Sequence, residues 1–156
     1  MYLKAERYIS GIDWTSGQPA LTPEYREVLR MLKLSEKKAD TVVGFPSATV
    51  SVNVGYWRKA NAIHAWFVKN VQKGVDDCKS YYVERDQLMR LAADCVIVLA
   101  DKSKAMEILP PQDGFFFGCT DVDEGYMHDV DTTVAILSRV LSPDFKGYDF
   151  YYRSSW

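Results

Sequence analysis

Apolar positions recur at helical spacing in three long stretches of the chain. This spacing predicts a central helix over 55–71, a second helix from about Glu84 to Ala100 and a third from about Val122 to Leu141. The expected core-facing positions are Ala60, Ile63, Phe67 and Val71 in the central helix, Leu88, Leu91, Ala92, Cys95 and Leu99 in the second, and Tyr126, Val130, Val134, Leu137 and Leu141 in the third. Asp121 with Glu124 has the spacing of a capping box and marks the expected start of the third helix.

Alternating and β-branched patterns predict strands on either side of these helices. The predicted strands are Met1 to Trp14, Thr41 to Val43, Ala48 to Val54 and Tyr148 to Arg153. A short helix is expected after Thr22, because Thr22 suits the capping position and Pro23 the first helical position. Residues 76–82 have the composition of a loop. The pattern as a whole predicts an α+β fold, in which a small antiparallel sheet of N-terminal, central and C-terminal strands packs with about three long helices.

Length and composition narrow the classes of protein that fit. The chain has 156 residues, which fits a single domain over 1–156, and its apolar fraction of 47% supports one core. The net charge of −2 argues against general DNA binding. The N-terminal residues lack a secretory signal, and the longest apolar run is too short to span a bilayer, so we expect a cytoplasmic protein without a membrane partner.

The central stretch carries polar groups on a helix that is apolar nearly all round. Such a helix is usually buried on most sides. Arg58, Asn61 and His64 must then be paired internally, reach solvent or line a cavity, because a buried polar group without a partner costs about 1–3 kcal/mol. Two interpretations stay open, a core helix whose polar groups cap neighbouring loops and a wall of a binding pocket.

The pocket interpretation combines the central stretch with the Gln112 to Thr120 loop. Its candidate ligand-binding residues are Tyr56, Trp57, Arg58, Lys59, Asn61, His64, Trp66, Gln112, Phe116, Gly118 and Thr120. Trp57 or Trp66 would stack on a base, and Arg58 and Lys59 would meet phosphate. A nucleotide needs this combination of groups.

The remaining candidates would supply hydrogen bonds. Asn61, His64 and Gln112 would bind the polar edges of a ligand, and Gly118 to Thr120 would offer backbone N–H groups ahead of a helix. The glycines of this loop match neither a dinucleotide fingerprint nor a phosphate-binding P-loop. The alternative is that Phe115 to Phe117 form a buried strand.

Neither a metal nor a cofactor is predicted. The acidic cluster of residues 121–131 does not match an EF-hand, since Thr132 stands where the bidentate Glu should be. The three cysteines, Cys78, Cys95 and Cys119, show no paired spacing of the kind that binds zinc or forms a disulfide framework.

The chain resembles a family of small uncharacterised phage and prophage proteins. The resemblance covers 55–141 and is carried by residues 56–64 with 66–68, by 70–72, 74–78 and 81–83, and by Leu109, Pro110, Gln112, 114–118 and Thr120. Met1-Tyr2-Leu3 also fits, whereas 14–53 and 148–156 fit poorly. Family members often carry Ser at the position of Cys119, which weighs against a nucleophilic cysteine there. The resemblance implies a viral accessory protein, of a kind that often counters host defence.

The leading hypothesis is a non-enzymatic protein that binds and sequesters a small, anionic, nucleotide-like molecule. One alternative is a hydrolase or nucleotide-modifying enzyme that uses His64 as acid or base. Another is an inhibitor that binds a host protein through its aromatic surface. A homo-oligomer with a site between chains is also compatible with the sequence.

Overall fold

The computed structural model describes residues 1–15, 19–36, 46–113 and 120–155. The chain divides into a larger compact unit, Met1–Ala5 with Val52–Trp156, and a smaller one, Glu6–Ser51. The prediction of a single domain stays a prediction. Among the helices of the described residues, none is long and apolar enough to cross a membrane.

The described residues form six strands and five α-helices. The strands are β1 (Tyr2–Ser10), β2 (Ile12–Asp13), β3 (Ala20–Leu21), β4 (Ser47–Tyr56), β5 (Ser80–Val83) and β6 (Asp149–Arg153). The helices are α1 (Pro23–Met31), α2 (Asn61–Asn70), α3 (Arg85–Ala100), α4 (Ala105–Ile108) and α5 (Glu124–Val140), with 3-10 turns at Lys102–Lys104 and Pro143–Phe145. A four-stranded antiparallel sheet has the order β4–β1–β6–β5. The predicted α+β fold is confirmed.

The central helix begins later than its pattern predicts. Strand β4 continues through Tyr56, and α2 begins only at Asn61. Between them, Lys59 has a φ of 60°, in the left-handed region, which interrupts any helix. The prediction of a helix from residue 55 is therefore wrong, and Trp57, Arg58 and Lys59 lie on the connection that leads into α2.

Helices α3 and α5 supply most of the helical core, and their buried faces differ slightly from the predicted ones. Buried positions are Leu88, Leu91, Cys95 and Val98 in α3, and Tyr126, Val130, Thr133, Leu137 and Val140 in α5. Asp123 rather than Asp121 caps α5, because its side chain accepts the Tyr126 N–H at 2.8 Å. The cap is thus an acidic residue, as predicted, two positions further along the chain.

Three strand predictions need comment. The opening strand ends at Ser10, and Ile12–Asp13 pairs with Ala20–Leu21 in a separate two-stranded sheet. Residues 80–83 were expected in a loop but form β5, whose Tyr82 lies opposite Tyr151 of β6. The predicted strand over residues 41–43 lies outside the described residues.

The smaller unit has its own apolar cluster. Tyr25 and Leu29 of α1 are buried, and Ile9, Leu21 and Ala48 pack against them. As predicted, Thr22 caps α1, since its hydroxyl accepts the Tyr25 N–H at 3.2 Å.

Candidate functional site

The connection that precedes α2 opens onto a cavity of about 280 Å³, here called the Arg58 cavity. It is lined by Arg58, Lys59, Asn61, Asp121, Asp123, Gly125, Tyr126, His128 and Asp129. Arg58 and Lys59 are both exposed, so their charged ends are accessible to a ligand. Three predicted site residues, Arg58, Lys59 and Asn61, are thus brought together in one place.

The N-terminus of α2 lies beside this cavity, whose lining includes Asn61. Ala60 precedes the helix and provides no side-chain cap. The first intrahelical bond is donated by the His64 N–H to the Ala60 carbonyl at 3.0 Å, so the amides of 61–63 come before the helical ladder begins. Such a helix end carries partial positive charge, which reinforces Arg58 and Lys59.

Carboxylates from α5 and from the residues before it also line the Arg58 cavity. The Asp123 side chain is occupied in capping α5. Burial raises the pKa of the half-buried Asp129, the charge of His128 opposes this shift, and the charge of Asp123 adds a smaller increase. The lining of the cavity therefore combines cationic groups with carboxylate acceptors, which suits a ligand carrying both an anionic group and hydroxyl donors.

The predicted stacking residues lie in the core of the larger unit. Trp57 is 2% exposed, and its indole N–H donates to Thr133 Oγ1 at 2.8 Å. Trp66 is 7% exposed and donates to Asp94 Oδ2 at 2.8 Å. Phe67 lies between these indoles, with ring centroids 5.9 Å and 5.5 Å away. Neither indole presents an open face to the Arg58 cavity, so their role as stacking platforms stays a prediction.

His64 is fully buried and belongs to a polar network. Its Nδ1 lies 2.7 Å from Tyr152 Oη, and its Nε2 lies 3.1 Å from Asp76 Oδ2. Ser154 Oγ donates to the other Asp76 oxygen at 3.3 Å. Burial lowers the pKa of His64, although the hydrogen bond and charge of Asp76 oppose the shift. This geometry matches the interpretation of His64 as a satisfied core residue.

Two further depressions flank α2 near its C-terminal half. The smaller, about 190 Å³, is lined by Ala62, Ala65, Trp66, Lys69, Asn70, Asp94, Glu107, Ile108, Leu109 and Pro110. The larger, about 590 Å³ and here called the Lys69 groove, is lined by Ala65, Val68, Lys69, Lys73, Gly74, Pro110, Pro111 and Gln112. Gln112 thus does lie beside the central helix, but away from the residues that line the Arg58 cavity.

The remaining predicted site residues are dispersed. Tyr56 is more than half exposed at the end of β4, and its ring centroid lies 5.1 Å from that of Tyr2. Thr120 is exposed. Phe116 and Gly118 lie outside the described residues. The sequence indicates the acidic residues of the Arg58 cavity only as metal-ligand candidates and as the start of a helix, and the capping signal near Asp121 is the feature that could locate them.

Within the described residues, no group of three or more His, Cys, Asp or Glu side chains is arranged to hold a metal ion.

Comparison of the chain with models of protein families, with curated proteins and with solved structures finds no match. The chemistry of the site therefore has to follow from its own geometry.

Proposed function

We propose that this protein binds a small, anionic, nucleotide-like molecule in the Arg58 cavity and releases it unchanged. The observation that carries the proposal is the convergence of Arg58, Lys59 and Asn61, the first residue of α2, on one cavity. Guanidinium, ammonium and helix-end N–H groups are the donors that proteins use for phosphate.

The acidic residues of the cavity narrow the class of ligand. A bare phosphate would be attracted by Arg58 and Lys59 but repelled by the carboxylates that line the same cavity. A sugar phosphate or nucleotide would place its phosphate near Arg58 and Lys59 and its sugar hydroxyls near Asp121 or Asp129. Carboxylates accept hydrogen bonds from ribose hydroxyls in dinucleotide-binding proteins.

The size of the cavity also favours a small ligand. At about 280 Å³ it lies near the lower limit of pockets that take drug-sized molecules, which run from about 300 to 1,000 Å³. A nucleoside monophosphate is therefore a better match than a cyclic dinucleotide.

The buried position of His64 supports binding rather than turnover. A general acid or base must come within hydrogen-bond reach of the substrate proton. Both ring nitrogens of His64 already lie within reach of Tyr152 and Asp76, inside the core. A catalytic role would require this network to open.

The resemblance to phage proteins gives the proposal a biological setting. An accessory protein that sequesters a nucleotide-like signal would blunt a host defence that depends on that signal. This part of the proposal is supported by the resemblance over 55–141 alone.

A thermal-shift screen tests the proposal, using inorganic phosphate, ribose 5-phosphate, nucleoside monophosphates, ADP-ribose and cyclic dinucleotides. A ligand at a hundred times its dissociation constant adds about 2.7 kcal/mol of stability. For a chain of this size each kcal/mol raises the midpoint by roughly 2–4 °C, so the expected shift is roughly 5–11 °C. Mass spectrometry of the recovered ligand should show it intact, and a modified product would establish an enzyme instead.

Matched charge-reversal variants locate the site. The double variant Arg58→Glu, Lys59→Glu should abolish the shift, while Lys69→Glu, Lys73→Glu should retain it. Both pairs are exposed lysine or arginine side chains, so each double variant should fold. Loss of the shift only in the Lys69, Lys73 variant would place the ligand in the Lys69 groove. No shift with any compound would contradict the proposal.

A further inference from the structure

The smaller of the two depressions beside α2, here called the Asp94 cavity, has charges of both signs in its lining. Its charged residues are Lys69 of α2, Asp94 of α3 and Glu107 of α4. Asn70 adds an amide, and the other lining residues are apolar or aromatic. All of them belong to the larger compact unit.

The Asp94 carboxylate is held in a fixed position at the wall of this cavity. Its Oδ2 accepts the indole N–H of the buried Trp66 at 2.8 Å, and Asp94 itself is half-buried. Among the described residues, Asp94 forms no ion pair and its Oδ1 accepts no hydrogen bond. A partly buried carboxylate interacts with a cation more strongly than one in bulk water, because the local dielectric constant is lower. One oxygen of Asp94 is therefore available to a cationic group in the cavity.

Lys69 and Glu107 add one charge of each sign. Both side chains are exposed, and in the described part of the chain neither forms an ion pair with the other or with a third residue. Arg90 and Lys104 lie about one helical turn before Asp94 and Glu107, but neither lines the cavity or forms an ion pair with these carboxylates. The cavity thus combines two carboxylates with one ammonium group, and direct pairing neutralises none of them. Such a set is complementary to a ligand that carries both an ammonium and a carboxylate group.

The size of the Asp94 cavity and its neighbour limit the rest of the ligand. Its volume of about 190 Å³ is only slightly larger than the roughly 150 Å³ of a cavity that holds benzene. It shares Ala65, Lys69 and Pro110 with the Lys69 groove, where Val68 and Pro111 continue an apolar lining. A small charged head in the cavity could therefore extend an apolar group into the groove.

We propose that the Asp94 cavity binds the ammonium and carboxylate groups of a free α-amino acid, and that the apolar side chain of this amino acid lies in the Lys69 groove. The ligand ammonium lies between Asp94 and Glu107, and the ligand carboxylate meets Lys69. A peptide terminus would present only one of these two charges beside its first side chain. The Arg58 cavity is not involved, so this inference stands independently of the proposed function.

Calorimetric titration with leucine, methionine, phenylalanine and tryptophan tests the site, with two derivatives of each as controls. The N-acetyl derivative lacks the ammonium group, and the amide derivative lacks the carboxylate. Each should bind at least about tenfold more weakly than the parent amino acid, a loss that corresponds to about 1.4 kcal/mol. Failure of all four amino acids to bind at millimolar concentration would overturn the proposal. An amide that binds as tightly as its parent would also overturn it, in favour of a simple amine or a peptide N-terminus.

Single charge removals assign the two ends of the ligand. Asp94→Asn keeps an oxygen acceptor for the Trp66 N–H, and Lys69→Gln changes an exposed side chain, so both variants should fold. Asp94→Asn should weaken binding of the amino acid and of its amide alike. Lys69→Gln should weaken binding of the amino acid but leave binding of the amide unchanged.

The matched controls Asp144→Asn and Lys146→Gln remove exposed charges that lie outside both depressions, and binding should not change. Circular dichroism confirms the fold of each variant. Asp94→Asn and Lys69→Gln variants that bind the amino acid as tightly as wild type would overturn the assignment of the Asp94 cavity.

Discussion

Tyr152 Oη lies 2.7 Å from Nδ1 of His64 inside the core, although the two residues are 88 positions apart in the chain. The Asp76 carboxylate can only accept, so the hydrogen on a neutral His64 ring belongs on Nε2, which leaves Nδ1 to accept from the Tyr152 hydroxyl. Burial raises the pKa of Tyr152, which keeps that hydroxyl protonated. The Tyr152 ring also stacks on the Phe67 ring, with ring centroids 3.9 Å apart. The hydrogen bond and the stacking contact together tie β6 to α2.

Tyr152→Phe should destabilise the protein by about 1–3 kcal/mol, because it leaves a buried His64 nitrogen without its partner while preserving the stacked ring. Urea denaturation monitored by circular dichroism measures the change. Tyr82→Phe is the control: this side chain is 54% exposed, and its variant should lie within about 0.5 kcal/mol of wild type. Equal stability of the Tyr152→Phe variant and wild type would contradict the proposed network.

His64 should make stability depend on pH near neutrality. Its pKa is lowered in the folded state by burial, from an ordinary value of 6.5, so protons bind more readily to the unfolded chain. The contribution of the neutral His64 ring to the free energy of unfolding is therefore complete above pH 6.5. It is lost as the pH falls through the lower pKa of His64 in the folded state. Urea denaturation at a series of pH values should show this loss in wild type and in His128→Gln.

The His64→Gln variant should lack that component of the pH dependence, although it will be less stable overall. Asp76→Asn should lower the pKa of His64 further, since the charge and hydrogen bond of Asp76 raise it. An NMR titration of the His64 ring protons measures this shift directly. An unchanged or higher pKa in the Asp76→Asn variant would show that Asp76 is not the dominant partner.

Trp57 and Arg58 are adjacent in sequence but should respond very differently to truncation. Trp57→Ala should cost about 3–5 kcal/mol, as expected for a large buried side chain. Arg58→Ala should change stability by about 0.5 kcal/mol or less, because its side chain is exposed. Thermal unfolding of both variants provides the comparison. Similar losses in the two would contradict the assignment of Trp57 to the core and Arg58 to the cavity.

At Lys59, the effect of backbone strain on stability should be separable from the effect of charge on ligand affinity. Its φ of 60° costs a non-glycine residue about 1–2 kcal/mol, which glycine avoids. Lys59→Gly should therefore be more stable than Lys59→Ala by about 1 kcal/mol, while both lose affinity for an anionic ligand equally. Denaturation gives the first difference and calorimetric titration the second. Lys59→Ala as stable as Lys59→Gly would argue against the left-handed conformation.

The sequence predicts the long helices and the α+β class well, because the apolar spacing of α3 and α5 is sustained over four turns. It misplaces the start of α2. The apolar pattern continues unbroken through Trp57, whereas the left-handed backbone conformation at Lys59 interrupts the helix. It also cannot separate core from pocket for aromatic residues. Whether Trp66 is buried depends on Asp94, 28 residues away, which accepts its indole N–H.

The sequence also predicts one part of the candidate site better than the other. The sequence indicates Arg58 and Lys59 because their charges are evident from the residue types alone. The presence of carboxylates such as Asp129 in the same cavity depends on where α5 lies beside α2, and local spacing does not report that. For the same reason, the sequence groups Gln112 with Arg58, whereas the structure places Gln112 in the Lys69 groove.

The most direct test of the central claim is an NMR titration of the 15N-labelled protein with adenosine monophosphate, followed through backbone amide shifts. A ligand phosphate at the N-terminus of α2 should shift the amides of 61–63 most, together with the Arg58 and Lys59 signals. Saturable shifts confined to these residues would support the Arg58 cavity as the binding site. Shifts centred on Lys69 and Lys73, or none at all, would contradict it.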